Sequence, residues 1–312
     1  AGLFLNDCST MLAKSLVPML ERETGLPVLG WLPHMEEAVL ESRHLGLYTA
    51  GEIENLSARI DRAADVLSEN LDWDQLDALF SRRADRAAVP AAERVDGVPV
   101  AVARDEAFCF AYAETLDALR EAGASLRFFS PLGDAALPGD ACALYLPGGY
   151  PELHAAGLAE NADMRRAVRD AVAGGMPTVA ECGGFLYLGQ TLEDGGGRAY
   201  PMAGVLPGEA VPLGELFYGA ILRFGYAELS AAGASMLFRP GEAAPVHEFH
   251  YWDSTENGDG LVARKPLTGR SWQCGFVNEH LYAAFPHLYF AGRPALARRF
   301  VRAAEHWRDA HE

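Results

Sequence analysis

Apolar and polar positions follow two rhythms along this chain, and the changes of rhythm mark its elements. "GLFLN" (residues 2–6) is a short apolar run. "STMLAKSLVPMLERETG" (9–25) repeats its apolar residues at helical spacing, with Ser9 or Thr10 as cap and Gly25 as terminator. "PVLGWLP" (27–33) is a second short apolar run, so the opening predicts a strand–helix–strand unit with parallel strands. One such unit cannot cover both faces of a parallel sheet. The opening therefore reads as part of a larger α/β domain. After "SRHLGLYTAGE" (42–52), amphipathic helices are expected over about 51–69 and 73–85. The charged, Ala-rich "SRRADRAAVPAAERVDG" (81–97), broken by Pro90, reads as a linker.

A second α/β rhythm begins at "VPVAVARD" (98–105), with a helix expected through about Gly123. "SLRFFSP" and "ACALYLPGG" read as strands, followed by one helix from about Pro151 to Gly174, and "PTVAEC" (177–182) as another strand. Strands alternating with helices at this pitch predict a doubly wound, mostly parallel sheet. Beyond about residue 200, Gly- and Pro-rich turns separate short strands, among them "LRFGYAEL" and "HEFHYWD". "RPALARRFVRAAEHW" is expected to close the chain as a helix.

Composition narrows the function classes. The chain has 312 residues, half of them hydrophobic, enough for one large core or two ordinary ones. Its 26 basic and 43 acidic residues leave a net charge of −17, which repels phosphate backbones and anionic lipid. Nucleic acid and membrane are thus poor partners, and no apolar run approaches the roughly 20 residues of a membrane span. Five widely spaced cysteines without a CxxC pair argue against a metal knuckle or redox dithiol and fit a reducing cytoplasm.

The chemistry converges on "PTVAECGGFLYLGQT" (177–191). Cys182 falls at the carboxyl end of an expected strand, where doubly wound sheets bind ligands. A helix starting there favours thiolate and leaves the Gly183 N–H free to face an oxyanion. Packing is the alternative role, since free cysteine is among the most buried residue types. "LYLPGGYPELH" adds a second strand-end turn, Gly148-Gly149, able to supply another oxyanion N–H. For a base, the residues themselves offer His247 and His250 in "HEFHY", His280 in "NEHLY" and His287 in "AFPHLYF" without ranking them. "HEFH" lacks the i, i+4 spacing of a helical zinc site, so no metal is expected.

"LYLPGGYPE", "AECGGFLYLG" and "HLYF" together resemble the class I glutamine amidotransferase domains of cobyrinic acid a,c-diamide synthases, over roughly residues 98–300. "LNDCST…GLPVLGWLP…SRHLGL" resembles the end of that family's ATP-dependent, dethiobiotin synthetase-like amide-forming domain. The resemblance implies a flavodoxin-like amidotransferase domain over 91–312, after a helical linker and a partial α/β synthetase domain over 1–90. It also implies Cys182 as nucleophile, His287 as base, and Gly148, Gly149 or Tyr150 with Gly183 around the oxyanion and glutamine. His247 and His250 would line the glutaminase site or a domain interface. The implied partners are glutamine and a corrin precursor, cobyrinate or hydrogenobyrinate, with ATP and Mg2+ used by the complete enzyme.

The chain departs from the family in two places. The family reads His-Leu-His-Phe where this chain has Tyr289 in the second histidine position, and triad amidotransferases carry there a glutamate that orients the base. A phenol is neutral near pH 7, which leaves the orientation of His287 open. The chain also holds only Lys14 and Lys265, neither after a GxxxxG run, so the phosphate loop is not in it. A fragment, or a partner chain supplying the rest, is the expectation. Other readings are a cobyric acid synthase-type or other tetrapyrrole amidotransferase, a peptidase or deglycase on the same kind of sheet, and a degenerate interaction domain.

Overall fold

Alternation along the strands decides which helices cover which face of the main sheet. The computed structural model describes residues 1–39, 42–43, 46–47, 53–81, 97–213, 223–231 and 233–311. They belong to two compact units, Ala1–Ala91 and Ala92–Glu312.

In the first unit, β1 (Leu3–Leu5) and β2 (Val28–Trp31) pair in parallel across α1 (Thr10–Thr24). The Ser9 hydroxyl accepts from the Leu12 N–H, and Gly25 ends the helix at φ 69. A two-residue pair, β3 (Ser42–Arg43) with β4 (Gly46–Leu47), precedes α2 (Leu56–Glu69) and α3 (Trp73–Phe80). The Asp72 carboxylate caps α3 on the Gln75 N–H, and residues 82–85 of the helix expected here lie outside the described residues. The expected linker and much of "SRHLGLYTAGE" lie outside the described residues.

In the second unit, β5 (Val98–Ala103), β6 (Ala124–Phe129), β7 (Ala143–Leu146), β8 (Thr178–Glu181) and β18 (Leu281–Ala284) run parallel in the order β6-β5-β7-β8-β18. The edge strand β17 (Phe276–Val277) is antiparallel to β18. This is the 2-1-3-4-5 order of a flavodoxin-like sheet. Val100, Val102, Ala143, Tyr145 and Val179 share a core with α4 (Ala113–Glu121) and α8 (Pro294–His311). The alternate residues Ala101, Leu144, Leu146 and Ala180 are equally buried and face the other way, towards α5 (Ala155–Glu160), α6 (Ala162–Ala173) and α7 (Gly183–Leu188). With both faces covered, β7 and β8 are buried at every position, which is why they read as unbroken apolar runs.

Two smaller sheets complete the unit. One orders β10 (Ala199–Pro201), β9 (Thr191–Glu193), β11 (Glu209–Pro212) and β14 (Trp252–Ser254). The other orders β16 (Ser271–Cys274), β15 (Leu261–Arg264), β12 (Gly225–Ala231), β13 (Ala243–Glu248) and β19 (His287–Leu288), all antiparallel. Ala227, Leu229, Ala244 and Val246 of this second sheet join the α4–α8 core.

Two expectations need correction. The single helix over 151–174 is a 3-10 turn at Pro151–Leu153, then α5, then α6. Asn161 breaks it: its Oδ1 accepts from the Met164 N–H, and its Nδ2 donates to the carbonyls of Pro131 and Asp134. An asparagine held from both sides serves better as a cap than as an interior helical residue. "HEFHYWD" is likewise not one strand, because β13 stops at Glu248 and β14 starts at Trp252.

Candidate active site

The chain leaves β8 through a strained residue. Cys182 has φ 49 and ψ −103, a conformation that costs a non-glycine residue on the order of 1–3 kcal/mol. It is held there by its own N–H, which donates to Ala284 O at 2.9 Å, and by its carbonyl, which accepts from Leu186 N–H at 3.0 Å. The glycines that follow are required by close approach. A Cβ on Gly184 would lie 2.1 Å from the Leu146 carbonyl, and one on Gly183 would lie 3.1 Å from the Gly149 nitrogen. The turns after β7 and β8 therefore touch.

The turn after β7 is fastened on both sides. Gly148 O accepts from Phe110 N–H, and Tyr150 N–H donates to Ala107 O, both at 3.0 Å. A side chain at Gly149 would meet that same Ala107 oxygen at 2.1 Å. Among the described residues, the N–H groups of Gly149 and Gly183 donate to no protein acceptor. They form a pair of free donors beside Cys182. Tyr150, the other candidate donor, is committed to Ala107.

His287 arrives from the neighbouring strand system. β18 lies in register beside β8, pairing Ala284 with Glu181, and three residues later the chain crosses into β19 at His287. That crossing buries His287 to 3% exposure. Its ring meets Phe110 edge-on at 5.1 Å and lies so close to the turn that a Cβ on Gly148 would be 2.6 Å from its Cε1. Burial disfavours charge on this imidazole. Its side-chain hydrogen bond with Cys182 and the nearby Glu181 carboxylate more than offset that, and its pKa rises to about 10.

Glu181 was not among the sequence candidates. It is 1% exposed. Its Oε1 accepts from the Leu288 N–H at 2.9 Å, and its Oε2 accepts from the Tyr145 hydroxyl at 3.1 Å. The same Oε2 lies 3.7 Å from His287 Nδ1, a charge contact longer than a hydrogen bond, and Nδ1 has no hydrogen-bond partner. Burial first, and then the Glu181 charge, push the Tyr145 phenol well above its usual range. The available signal was a lone carboxylate in the otherwise apolar "PTVAEC".

The other candidates separate clearly. His247 stands directly opposite His287 in the β13–β19 ladder, and burial, then the His287 charge, lower its pKa. The Phe249 carbonyl accepts from the Cys182 thiol at 3.8 Å, so the "HEFHY" segment lines this site. His250 is anchored otherwise: it stacks on Phe285 at 3.8 Å, its Nδ1 donates to Trp252 O at 2.6 Å, and its Nε2 lies 3.0 Å from Glu248 Oε1. His280 precedes β18 and its carbonyl accepts from Thr178 N–H, at the end of the sheet remote from Cys182. Tyr289 is 42% exposed, with its ring edge-on to Tyr112. The carboxylate facing His287 thus comes from the strand before the nucleophile. Among the described residues no three His, Cys, Asp or Glu side chains are grouped to hold a metal, and no helix is long and apolar enough to cross a membrane.

A thiol, an imidazole beside it and two N–H groups without a protein acceptor can attack an acyl carbon, hold the resulting oxyanion and protonate a leaving group. Residues 99–295 match the family model described as a CobB/CobQ-like glutamine amidotransferase domain. Cobyrinate a,c-diamide synthase of Salmonella typhimurium is 39% identical over 97% of this chain and 67% of its own length. Hydrogenobyrinate a,c-diamide synthase of Brucella abortus is 43% identical over 94% of this chain and 67% of its own length. The chain spans about two thirds of these relatives. Among solved structures, a glutamine amidotransferase of Thermotoga maritima matches 69% of this chain and 85% of its own, at 15% identity and a TM-score of 0.42.

Proposed function

The chain belongs to the CobB/CobQ-like glutamine amidotransferase family, and from that premise we propose that its larger unit hydrolyses glutamine to supply ammonia for amidating the a and c carboxylates of a corrin precursor. The precursor is cobyrinate or hydrogenobyrinate, the substrates named for its relatives. Cys182 Sγ attacks the side-chain amide carbon of glutamine, and the oxyanion forms against the N–H groups of Gly149 and Gly183. His287 gives its proton to the departing nitrogen, releasing ammonia and leaving a thioester. Water, deprotonated by His287, then hydrolyses the thioester to glutamate and restores the thiol. The observation that carries this reading is the meeting of the Cys182 elbow, the His287 ring and the two unbonded N–H groups at the carboxyl ends of β7 and β8.

Ala1–Ala91 we take as the C-terminal part of the synthetase portion, ahead of the amidotransferase unit. In the complete synthase, ATP with Mg2+ would activate the carboxylate. The residues of this chain do not fit that nucleotide. Lys14 lies inside α1, and Lys265 donates its Nζ to the carbonyls of Phe224 and Tyr226, so neither sits in a glycine turn that cradles phosphate. The phosphate-binding part of the synthetase, on the same chain or a partner, completes the enzyme. Five free cysteines suit the cytoplasm as its compartment.

A glutamine-like alkylating analogue, followed by peptide mass spectrometry, tests the reading. Labelling should fall on Cys182 and be blocked by glutamine. Preferential labelling of Cys8, Cys109, Cys142 or Cys274 would sink it.

A further inference from the structure

We propose that Glu181, the residue immediately before the nucleophile, is the positioning carboxylate of His287 and replaces the acidic group that Tyr289 cannot provide. The inference rests on the Cys182–His287 reading and adds a residue to it. One carboxylate grips the base twice. Oε1 accepts from the N–H of Leu288, the residue after the base, and so pins the backbone of β19. Oε2 faces the ring at Nδ1. A proton kept on Nδ1 by this carboxylate leaves Nε2 as the basic nitrogen, the tautomer a general base needs. Tyr145 OH holds the same Oε2 from β7, so the carboxylate on β8 is fixed by groups on two other strands, β7 and β19.

Structure alone would not call for a charge here. Glu181 is 1% exposed, and no lysine or arginine forms an ion pair with it among the described residues. A buried carboxylate is costly unless a cation compensates it, and the facing imidazole is that cation when protonated. At 3.7 Å the contact is longer than a hydrogen bond and has room to shorten. The other titratable groups around His287 and Glu181 are Cys182, His247 on β13, Tyr112 ahead of α4, Tyr145 on β7 and Tyr282 on β18. His247 opposes a charge on His287, and the tyrosines supply none at neutral pH. Glu181 and the Cys182 sulfur are therefore the two groups that favour the proton on the ring, and Glu181 is the one not consumed in the chemistry.

The test is Glu181→Gln, which preserves the shape and one acceptor oxygen, turns the other oxygen position into an NH2 donor, and removes the charge. Glutaminase kcat should fall by roughly 10²-fold, less than for loss of a triad carboxylate with a direct hydrogen bond, with KM for glutamine little changed. The alkaline limb of the pH profile should move to lower pH by about one unit or more. Glu181→Asp should recover part of both. A merely structural role would lower the amplitude and leave the limb in place, and that result would overturn the proposal. If Glu181→Gln does not fold, the wild-type protein still decides. The His287 ring, assigned by its loss in His287→Ala, should titrate well above an ordinary histidine in NMR, and an ordinary value would overturn the inference. Wild-type turnover in His287→Ala would instead remove the dyad on which the inference rests.

Discussion

Cys182 keeps its strained backbone because Ala284 and Leu186 hold both of its peptide groups, so the geometry of the thiol is independent of the chemistry of its sulfur. Cys182→Ser should therefore preserve the fold, as judged by circular dichroism, and lose nearly all glutaminase activity, since a hydroxyl at its free pKa is a poor nucleophile. The other cysteines should not substitute. Cys8, Cys142 and Cys274 are buried, and burial pushes the Cys274 thiol up to about 12. His287→Ala should cost about 10²–10⁴-fold in turnover. His250→Ala should do much less to the chemistry, because that ring serves Trp252 and Glu248. His287 also makes stability depend on pH. Its folded-state pKa is raised from 6.5 to about 10, so the contribution is complete below 6.5 and disappears as pH rises through 10. The unfolding temperature should fall across that window in the wild-type protein and less steeply in His287→Ala, as scanning calorimetry would show.

Among the elements, the two strand-end turns do most to build the site, and their glycines divide the work. A methyl on Gly184 would press into the Leu146 carbonyl, forcing α7 away from β7. Gly184→Ala should destabilise the unit by about 1–3 kcal/mol in denaturant unfolding. A methyl on Gly148 would press into the His287 ring instead, so Gly148→Ala should reduce turnover more than stability. Both turns were legible in "PGGY" and "ECGG", because an apolar run ending in paired glycine announces a strand end. The break at Asn161 was not. An asparagine inside a helical pattern signals a cap only when its neighbours supply partners, and here Pro131 and Asp134 do so from another loop. For "HEFHY", expected to line the glutaminase site or an interface, the hidden part was that its backbone rather than its histidines reaches the thiol.

Across the whole molecule, every residue of the site lies in Ala92–Glu312, together with the core that supports it. A chain cut at residue 92 should fold cooperatively and keep Cys182 alkylation by a glutamine analogue, which mass spectrometry would read directly. The full chain should show no saturable binding of Mg-ATP by calorimetry at millimolar nucleotide. Micromolar binding would mean that the first unit carries a phosphate site without the lysine motif. The sequence by itself determined the parallel sheet, the two glycine turns and the placing of Cys182, because these depend on local periodicity and on the conformational reach of glycine. Without the family resemblance that pointed to His287, the residues could not choose among His247, His250, His280 and His287, and they could not find Glu181. Those choices depend on the register of β18 against β8 and on the crossing from β18 to β19, which bring residue 287 beside residues 181 and 182. Contacts across a hundred residues of chain are set by how strands pair and cores close, and only the tertiary structure decides that.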